Sequence, residues 1–119
     1  MVALVVAALL ATPHTGFAFG RTGGDILPFR IAIAVDGTLR ATGAAPRHAA
    51  KLTKLELATL NRVAYETDFV TLPALISCRN ALPDTATQLI RVGAYTVRVR
   101  GSCSARFNRL WAALSRAVR

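Results

Sequence analysis

Two segments of the sequence alternate between apolar and polar residues, and each contains a turn signal. Residues 26–35 alternate and are followed by Asp36-Gly37, while Gly93-Ala94 divides a second alternating segment at residues 88–99. A period of two places successive side chains on opposite faces of a strand, and Asp-Gly or a leading Gly favours a tight turn. The sequence therefore predicts two antiparallel hairpins.

The first predicted hairpin requires more than a two-residue turn. Its apolar face carries Leu27, Phe29, Ile31, Ile33 and Val35. A two-residue turn would pair Ile33 with Arg40, which disrupts the alternation. A three-residue loop pairs Val35 with Leu39 and Ile33 with Ala41, which restores it. We therefore expect a bulge or a longer loop at Asp36-Gly37.

The second predicted hairpin separates apolar and basic residues. Its predicted cross-strand pairs on one face are Val92 with Tyr95, Ile90 with Val97, and Gln88 with Val99. The opposite face carries Leu89 and three arginines, Arg91, Arg98 and Arg100. This pattern predicts one face toward the core and one basic face toward solvent.

Each hairpin is followed by a helical pattern. Thr53 and Glu56 have the spacing of a capping box, which predicts a helix over residues 54–66. Residues 68–73 then predict a corner in which Phe69 and Leu72 return to the core. The last helix follows a turn at residues 101–104, and its apolar face carries Phe107, Leu110, Trp111, Leu114 and Val118.

The order of these elements predicts the fold class. We expect an α+β domain in the order ββαββα, with a four-stranded antiparallel sheet of two hairpins and a layer of two helices on one face. Residues 74–84 are predicted as a loop. The chain has 119 residues, which suits one domain, and 53% of them are hydrophobic, which excludes intrinsic disorder.

The amino-terminal residues have the character of an export signal. Residues 2–11 are all apolar, no charged side chain precedes Arg21, and Gly16-Phe17-Ala18 has small residues at a cleavage site's minus-three and minus-one positions. The apolar run is shorter than the roughly 20 residues of a membrane span. We predict a signal peptide at residues 1–18, a single domain at residues 19–119, and a periplasmic or extracellular location. The alternative is a short amino-terminal core helix.

Cys78 and Cys103 are the chain's two cysteines. In an exported protein, such a pair predicts a disulfide, whereas two buried free thiols would fit a cytosolic one. A zinc site needs about four ligands, and a single histidine, His48, follows the leader. We predict a disulfide and no metal site.

Motifs for catalysis and for cofactor binding are missing from the sequence. There is no G-x-S-x-G, P-loop or dinucleotide fingerprint, and the six acidic residues form no pair spaced for acid–base work. A hydrolase built on His48 ranks low, because a lone histidine in a connector is usually a solvated residue. We expect a protein that is not an enzyme and needs no cofactor.

Charge is concentrated in the second half of the chain. The net charge is +9, and the 35 residues after Asp84 contain seven arginines and no acid. Such a field attracts acidic proteins, anionic polymers or anionic membranes, although an arginine-rich solvated surface is the alternative interpretation. Nucleic-acid binding is disfavoured, because Tyr95, Phe107 and Trp111 are predicted on buried faces rather than beside the arginines.

Short motifs in the chain resemble a family of small protein inhibitors. The resemblance rests on three features: Arg21-Thr22-Gly23-Gly24 before a strand, a helix containing residues 57–63, and a corner with Asp68-Phe69 and Leu72-Pro73. This pattern resembles the emfourin-type inhibitors of thermolysin-like (protealysin-type) metalloproteases and related small secreted proteins. The resemblance implies one inhibitory domain that blocks a protease cleft with loops at one end of the sheet. The chain differs in its leader, its cysteine pair and its basic second half.

These observations predict two functions. The first is a small exported binding domain that inhibits a protease by loop insertion, with a binding loop at Thr22, Gly23, Gly24 and Asp25. In the alternative interpretation of that loop, Gly23-Gly24 only leads into a strand. The second function is a basic envelope protein that binds anionic polymers or lipids through Arg91, Arg98 and Arg100.

Overall fold

A computed structural model describes residues 16–119, which form six strands and two α-helices around one core. The strands are β1 (Phe17–Thr22), β2 (Phe29–Ile33), β3 (Leu39–Gly43), β4 (Leu75–Ser77), β5 (Thr87–Val92) and β6 (Tyr95–Arg100). The helices are α1 (Lys54–Glu66) and α2 (Ala105–Ala117), and a short 3₁₀ turn covers Phe69–Thr71.

The six strands form one mixed sheet in the order β3-β2-β1-β5-β6-β4. All neighbouring strands are antiparallel except β4, which is parallel to β6. The α+β class is confirmed. The predicted four-stranded antiparallel sheet in the order ββαββα is wrong, because the prediction omitted β1 and β4.

The first omitted strand, β1, lies in the middle of the sheet. Phe19 is paired with Ile31 of β2 on one side and with Ile90 of β5 on the other. Phe17 and Phe19 are buried in the core, and Ala18 between them is also buried. Because every residue from Phe17 to Gly20 is apolar, this segment shows no alternation of polarity in the sequence and merges with the preceding apolar run.

The second omitted strand, β4, lies at an edge of the sheet. It has three residues, and Leu75, Ile76 and Ser77 are exposed, half-buried and exposed in turn. Three positions are too few to show a period of two, so the sequence pattern of this segment is that of a loop.

The longer loop expected at Asp36-Gly37 is present, but the predicted register is wrong by two residues, because Ile33 was expected to pair with Ala41. Ile33 pairs with Leu39, so residues 34–38 form the loop. This longer loop is closed by its own hydrogen bonds: the Thr38 backbone N–H donates to the Asp36 carboxylate at 2.9 Å, and the Ala34 N–H donates to the Thr38 carbonyl at 2.9 Å. Val35 is thereby left outside the sheet and is 48% exposed.

The second hairpin and both helices are confirmed. Val92 pairs with Tyr95 as predicted, and the register continues along β5 and β6. The Thr53 side chain accepts the Glu56 N–H at 3.1 Å while the Glu56 carboxylate accepts the Thr53 N–H at 2.8 Å, which completes the capping box of α1.

Both helices pack on the same face of the sheet. Leu60 and Val63 of α1 and Phe107 and Leu110 of α2 join the core formed by the inner side chains of the strands, such as Ile90. The predicted corner after α1 also contributes Phe69 and Leu72, which are both buried. Neither helix in residues 16–119 has the length and apolar character that would be needed to cross a membrane.

The predicted signal peptide overlaps the described residues at its end. Residues 1–15 lie outside the described part of the chain, whereas Phe17 and Ala18 are the first two residues of β1. Cleavage after Ala18 would therefore remove two buried residues from the central strand. The signal peptide itself stays a prediction.

Candidate binding surfaces

The predicted binding loop connects β1 to β2 at one end of the sheet. Thr22 is the last residue of β1, and Gly23, Gly24 and Asp25 follow it, all of them exposed. Gly23 and Gly24 have φ angles of +72° and +64°, a backbone region that favours glycine. The two glycines therefore give this connection its turn.

Gly24 is packed against the segment that precedes β5. A Cβ atom at this position would lie 2.8 Å from the Ala86 backbone nitrogen and would overlap the Asp84 carbonyl oxygen. The loop after β1 is thus in contact with the loop before β5, so a substitution at Gly24 would disturb both.

The loop end of the sheet also contains the disulfide. A groove of about 890 Å³ is lined by Ile26 from the loop after β1, by residues 77–82, and by residues 101–103. Arg21 and Ile26, the residues that flank the predicted loop, therefore border the same groove as the Cys78 segment.

The predicted disulfide between Cys78 and Cys103 is confirmed. Cys78 follows β4, and its backbone N–H donates to the Arg100 carbonyl at 2.9 Å. Cys103 precedes α2, and its backbone N–H donates to the Cys78 Sγ at 3.1 Å. The bond therefore joins the edge strand to the segment between β6 and α2.

The face of the sheet opposite the helices carries arginines from four strands. Cross-strand partners share a face, so the pairings identify three rows on this side, of which the row nearest the loop end contains Thr22, Thr87, Arg100 and Ser77. The second row runs Thr42, Arg30, Gly20, Leu89, Arg98 and Leu75, and the third runs Arg40, Ala32, Ala18, Arg91 and Thr96. We call this surface the arginine face.

The arginine face has no acidic neighbours in the sheet, because none of the chain's six acidic residues lies in a strand. Arg30, Arg40, Arg91 and Arg98 are exposed. Within residues 16–119 the one ion pair joins Arg109 to Glu66 elsewhere, at 2.5 Å. These four guanidinium groups are therefore available to an anionic partner.

Arg100 has a different environment from the other two predicted arginines. Its guanidinium donates to the Leu82 carbonyl at 2.6 Å and to the Thr85 carbonyl at 3.5 Å. It thus holds the loop before β5 in place, while Arg91 and Arg98 make no side-chain hydrogen bond within residues 16–119.

Two arginines of this face, Arg30 and Arg40, were missed in the sequence analysis. The alternation of the first hairpin already places both arginines on the face opposite to the one that carries Ile31 and Ile33. Their proximity to the second hairpin was hidden, because it depends on β1 lying between β2 and β5.

The remaining candidate for chemistry, His48, makes a local contact. Its Nδ1–H donates to the Ala49 carbonyl at 2.7 Å. Residues 16–119 contain no group of three or more histidine, cysteine, aspartate or glutamate side chains that could hold a metal ion. The exposed arginines and the groove therefore make the arginine face and the loop end the candidate binding sites.

Comparison with models of protein families, with curated proteins and with solved structures gives no match for this chain.

Proposed function

We propose that this protein is an exported, non-catalytic domain whose arginine face binds an extended anionic polymer of phosphate or carboxylate groups. The observation that carries the proposal is the set of four exposed arginines, Arg30, Arg40, Arg91 and Arg98, on a sheet face without acids. The Cys78–Cys103 disulfide supports export, since such bonds persist in oxidising compartments.

The arginines form two banks with three small residues and one leucine between them. Three strand-to-strand spacings separate Arg30 on β2 from Arg98 on β6, and three also separate Arg40 on β3 from Arg91 on β5. At the usual strand spacing, this separation is ~14 Å. The floor between the banks is Ala18, Gly20, Ala32 and Leu89. A chain lying along β1 would be within reach of guanidinium groups from both sides.

Successive rows of the face match a repeating anion. The two arginine pairs are offset by two residues along the strands, or about 7 Å. Guanidinium groups bind carboxylate and phosphate oxygens in a bidentate manner. Because the guanidinium fork is planar and rigid, little conformational entropy is lost for each hydrogen bond that forms. Two pairs can therefore contact two anionic groups that lie about 7 Å apart along one extended chain.

A lipid surface suits this face less well than a polymer. Proteins that lie on membranes insert large apolar side chains as well as basic ones. On the described arginine face, the large apolar residue with substantial exposure is Leu75, at the edge of the sheet, whereas Leu89 is buried. The face accordingly offers charge without an apolar patch to insert.

The test is binding of long-chain polyphosphate to the full chain, measured by calorimetry over a series of salt concentrations. The logarithm of the binding constant should fall linearly with the logarithm of the salt concentration, and the slope counts the anionic contacts. The double variant R91Q/R98Q should weaken binding and reduce the slope by about 2, roughly one per arginine. The double variant R62Q/R116Q removes the same charge from the helical layer and should leave the slope unchanged.

Three outcomes would contradict this function. In the first, polyphosphate does not bind even at low salt. In the second, the R62Q/R116Q control weakens binding as much as R91Q/R98Q, which would indicate a diffuse charge effect. In the third, vesicles rich in phosphatidylglycerol bind the protein while polyphosphate does not, which would assign the face to a lipid surface.

The loop end supports a second candidate function, the inhibition of a protease by loop insertion. Leu27 after the Gly23-Gly24 turn is 75% exposed, and Leu82 at the border of the groove is 65% exposed. Exposed loops that are held by a rigid scaffold commonly carry binding residues. Here the contact of Gly24 with Ala86 and the disulfide constrain the loops.

Incubation with a thermolysin-like protease tests this second function. If the loop inserts, micromolar protein should inhibit peptide hydrolysis, and the variant L27S should inhibit much less. L55S alters an equally exposed leucine on α1, which is 77% exposed, and should inhibit like the parent chain. Full protease activity at micromolar protein, or equal effects of the two variants, would refute loop insertion at Leu27.

A further inference from the structure

A recess with an aromatic floor lies between α2 and the β1–β2 side of the sheet. Its volume is about 420 Å³, which falls within the range of small-molecule sites. Phe19, Phe29 and Trp111 contribute aromatic surface to it, and the exposed loop residues Ile26 and Leu27 line one side. The recess is separate from the arginine face, which is on the other side of the sheet.

The aromatic floor is held rigidly by its own packing. The Trp111 ring makes an edge-to-face contact with Phe19, with centroids 5.2 Å apart, and is stacked on Phe107 at 6.2 Å. The Phe29 and Trp111 ring centroids are 6.5 Å apart. Trp111 and Phe29 are only half-buried, so each ring keeps part of its surface available to a ligand.

Arginines surround this aromatic surface. The Arg21 guanidinium carbon lies 5.1 Å from the centroid of the Trp111 ring. Arg47, from the connector between β3 and α1, and Arg119, after α2, also line the recess. No acidic residue is among the described residues that line it.

We propose that this recess binds a small aromatic anion, with a carboxylate or sulfonate beside Arg21 and Arg47 and its ring on Trp111 and Phe29. Apolar pockets with a few convergent polar groups are typical ligand sites, and the charged groups orient the ligand. A ring that contacts Trp111 also gains from offset or edge-to-face packing. The combination of two guanidinium groups and two partly exposed rings selects a ligand with both an anionic group and a planar apolar body.

Trp111 provides a direct readout, because it is the chain's one tryptophan. Titration of the full chain with 1-naphthoate should shift the Trp111 indole N–H signal in a saturable manner, as followed by nuclear magnetic resonance. The uncharged analogue 1-naphthalenemethanol should bind about tenfold more weakly or worse, because its hydroxyl carries no negative charge to pair with the guanidinium groups.

Matched arginine variants locate the site. R21Q and R47Q should each weaken 1-naphthoate binding about tenfold, since each removes one charge-assisted contact. R62Q removes the same charge from the outer surface of α1 and should bind like the parent chain. R47Q is the safer variant if R21Q perturbs folding, because Arg47 is exposed in a connector.

Two results would overturn the proposal. One is an indole N–H signal that does not shift even at the highest soluble concentration of 1-naphthoate. The other is equal binding of 1-naphthoate to the parent chain, to R47Q and to R62Q, which would mean that the anionic group is not held by this recess.

Discussion

Gly101 lies directly against Cys78 at the loop end of the sheet. A Cβ atom at position 101 would be 2.6 Å from the Cys78 Cβ and 2.9 Å from its Sγ, and Gly101 has a φ of +103°. The turn between β6 and α2 therefore has room for the disulfide only because residue 101 lacks a side chain.

The variant G101A should destabilise the protein by about 2–4 kcal/mol, because backbone strain and overpacking against Cys78 act together. Chemical denaturation under oxidising conditions measures the free energy of unfolding. A loss below about 1 kcal/mol would be less than the strain term alone and would contradict the contact with Cys78.

Gly23 and Gly24 form a matched pair for the binding loop. Both have positive φ, but a Cβ at Gly23 would meet nothing within 4 Å, whereas one at Gly24 would meet Ala86. G23A should cost about 1 kcal/mol from strain, and G24A about 1–3 kcal/mol more from the clash. Equal free energies of unfolding for the two variants would show that Gly24 does not pack against the loop before β5.

Thr53 should stabilise α1 through its capping box. T53A removes the acceptor of the Glu56 N–H and should lower the free energy of unfolding by about 1 kcal/mol. T59A is the control, because the Thr59 hydroxyl donates only to the Leu55 carbonyl of the same helix. T59A should change stability by less than about 0.5 kcal/mol, and the reverse ranking would be incompatible with the cap.

Phe17 should be required for the stability of the domain. It is 2% exposed in the core, so a chain that begins at Phe19 should be less stable than one that begins at Gly16 by about 3 kcal/mol or more. Thermal unfolding of the two chains measures the difference. The intact mass of exported protein then tests the predicted cleavage after Ala18, and equal stability of the two chains would remove the objection to that site.

Asp36 should titrate below the usual range. The Thr38 N–H, the largest cause, lowers the pKa of the Asp36 carboxyl from its ordinary value of 3.8. Because the folded pKa is depressed, the stabilisation is present above the unfolded pKa and is lost as the pH falls through the folded pKa. Carboxyl chemical shifts followed through an acid titration measure this pKa, and a midpoint at or above 3.8 would contradict the hydrogen bond to Thr38.

Local signals in the sequence were sufficient for several elements. The capping box at Thr53 and Glu56 and the turn at Gly93 act over a few residues, so they could be recognised without knowledge of the rest of the fold. The disulfide between Cys78 and Cys103 was predicted from the pair of cysteines together with the expectation of export. In the first hairpin, the alternation of apolar residues indicated a longer loop but not its register, because the Asp36 side chain accepts the Thr38 N–H and Ile33 then pairs with Leu39.

The two missed strands lacked a local signal for different reasons. The residues of β1 from Phe17 to Gly20 are buried on both faces or are too small to show polarity, so alternation is absent. The three residues of β4 depend on their pairing with β6. Both strands are therefore defined by their neighbours in the sheet rather than by their own composition.

Patterns in the amino-acid sequence are enough to predict the α+β class, both helices, the second hairpin, the disulfide and the basic character of the second half. Each of these depends on periodicity, on short-range hydrogen bonds or on residue counts. The position of β1 between the two hairpins, in contrast, depends on strand pairing across the whole sheet. That insertion places Arg30 and Arg40 on the same sheet face as Arg91 and Arg98, because strand pairing brings together residues that are far apart in the chain.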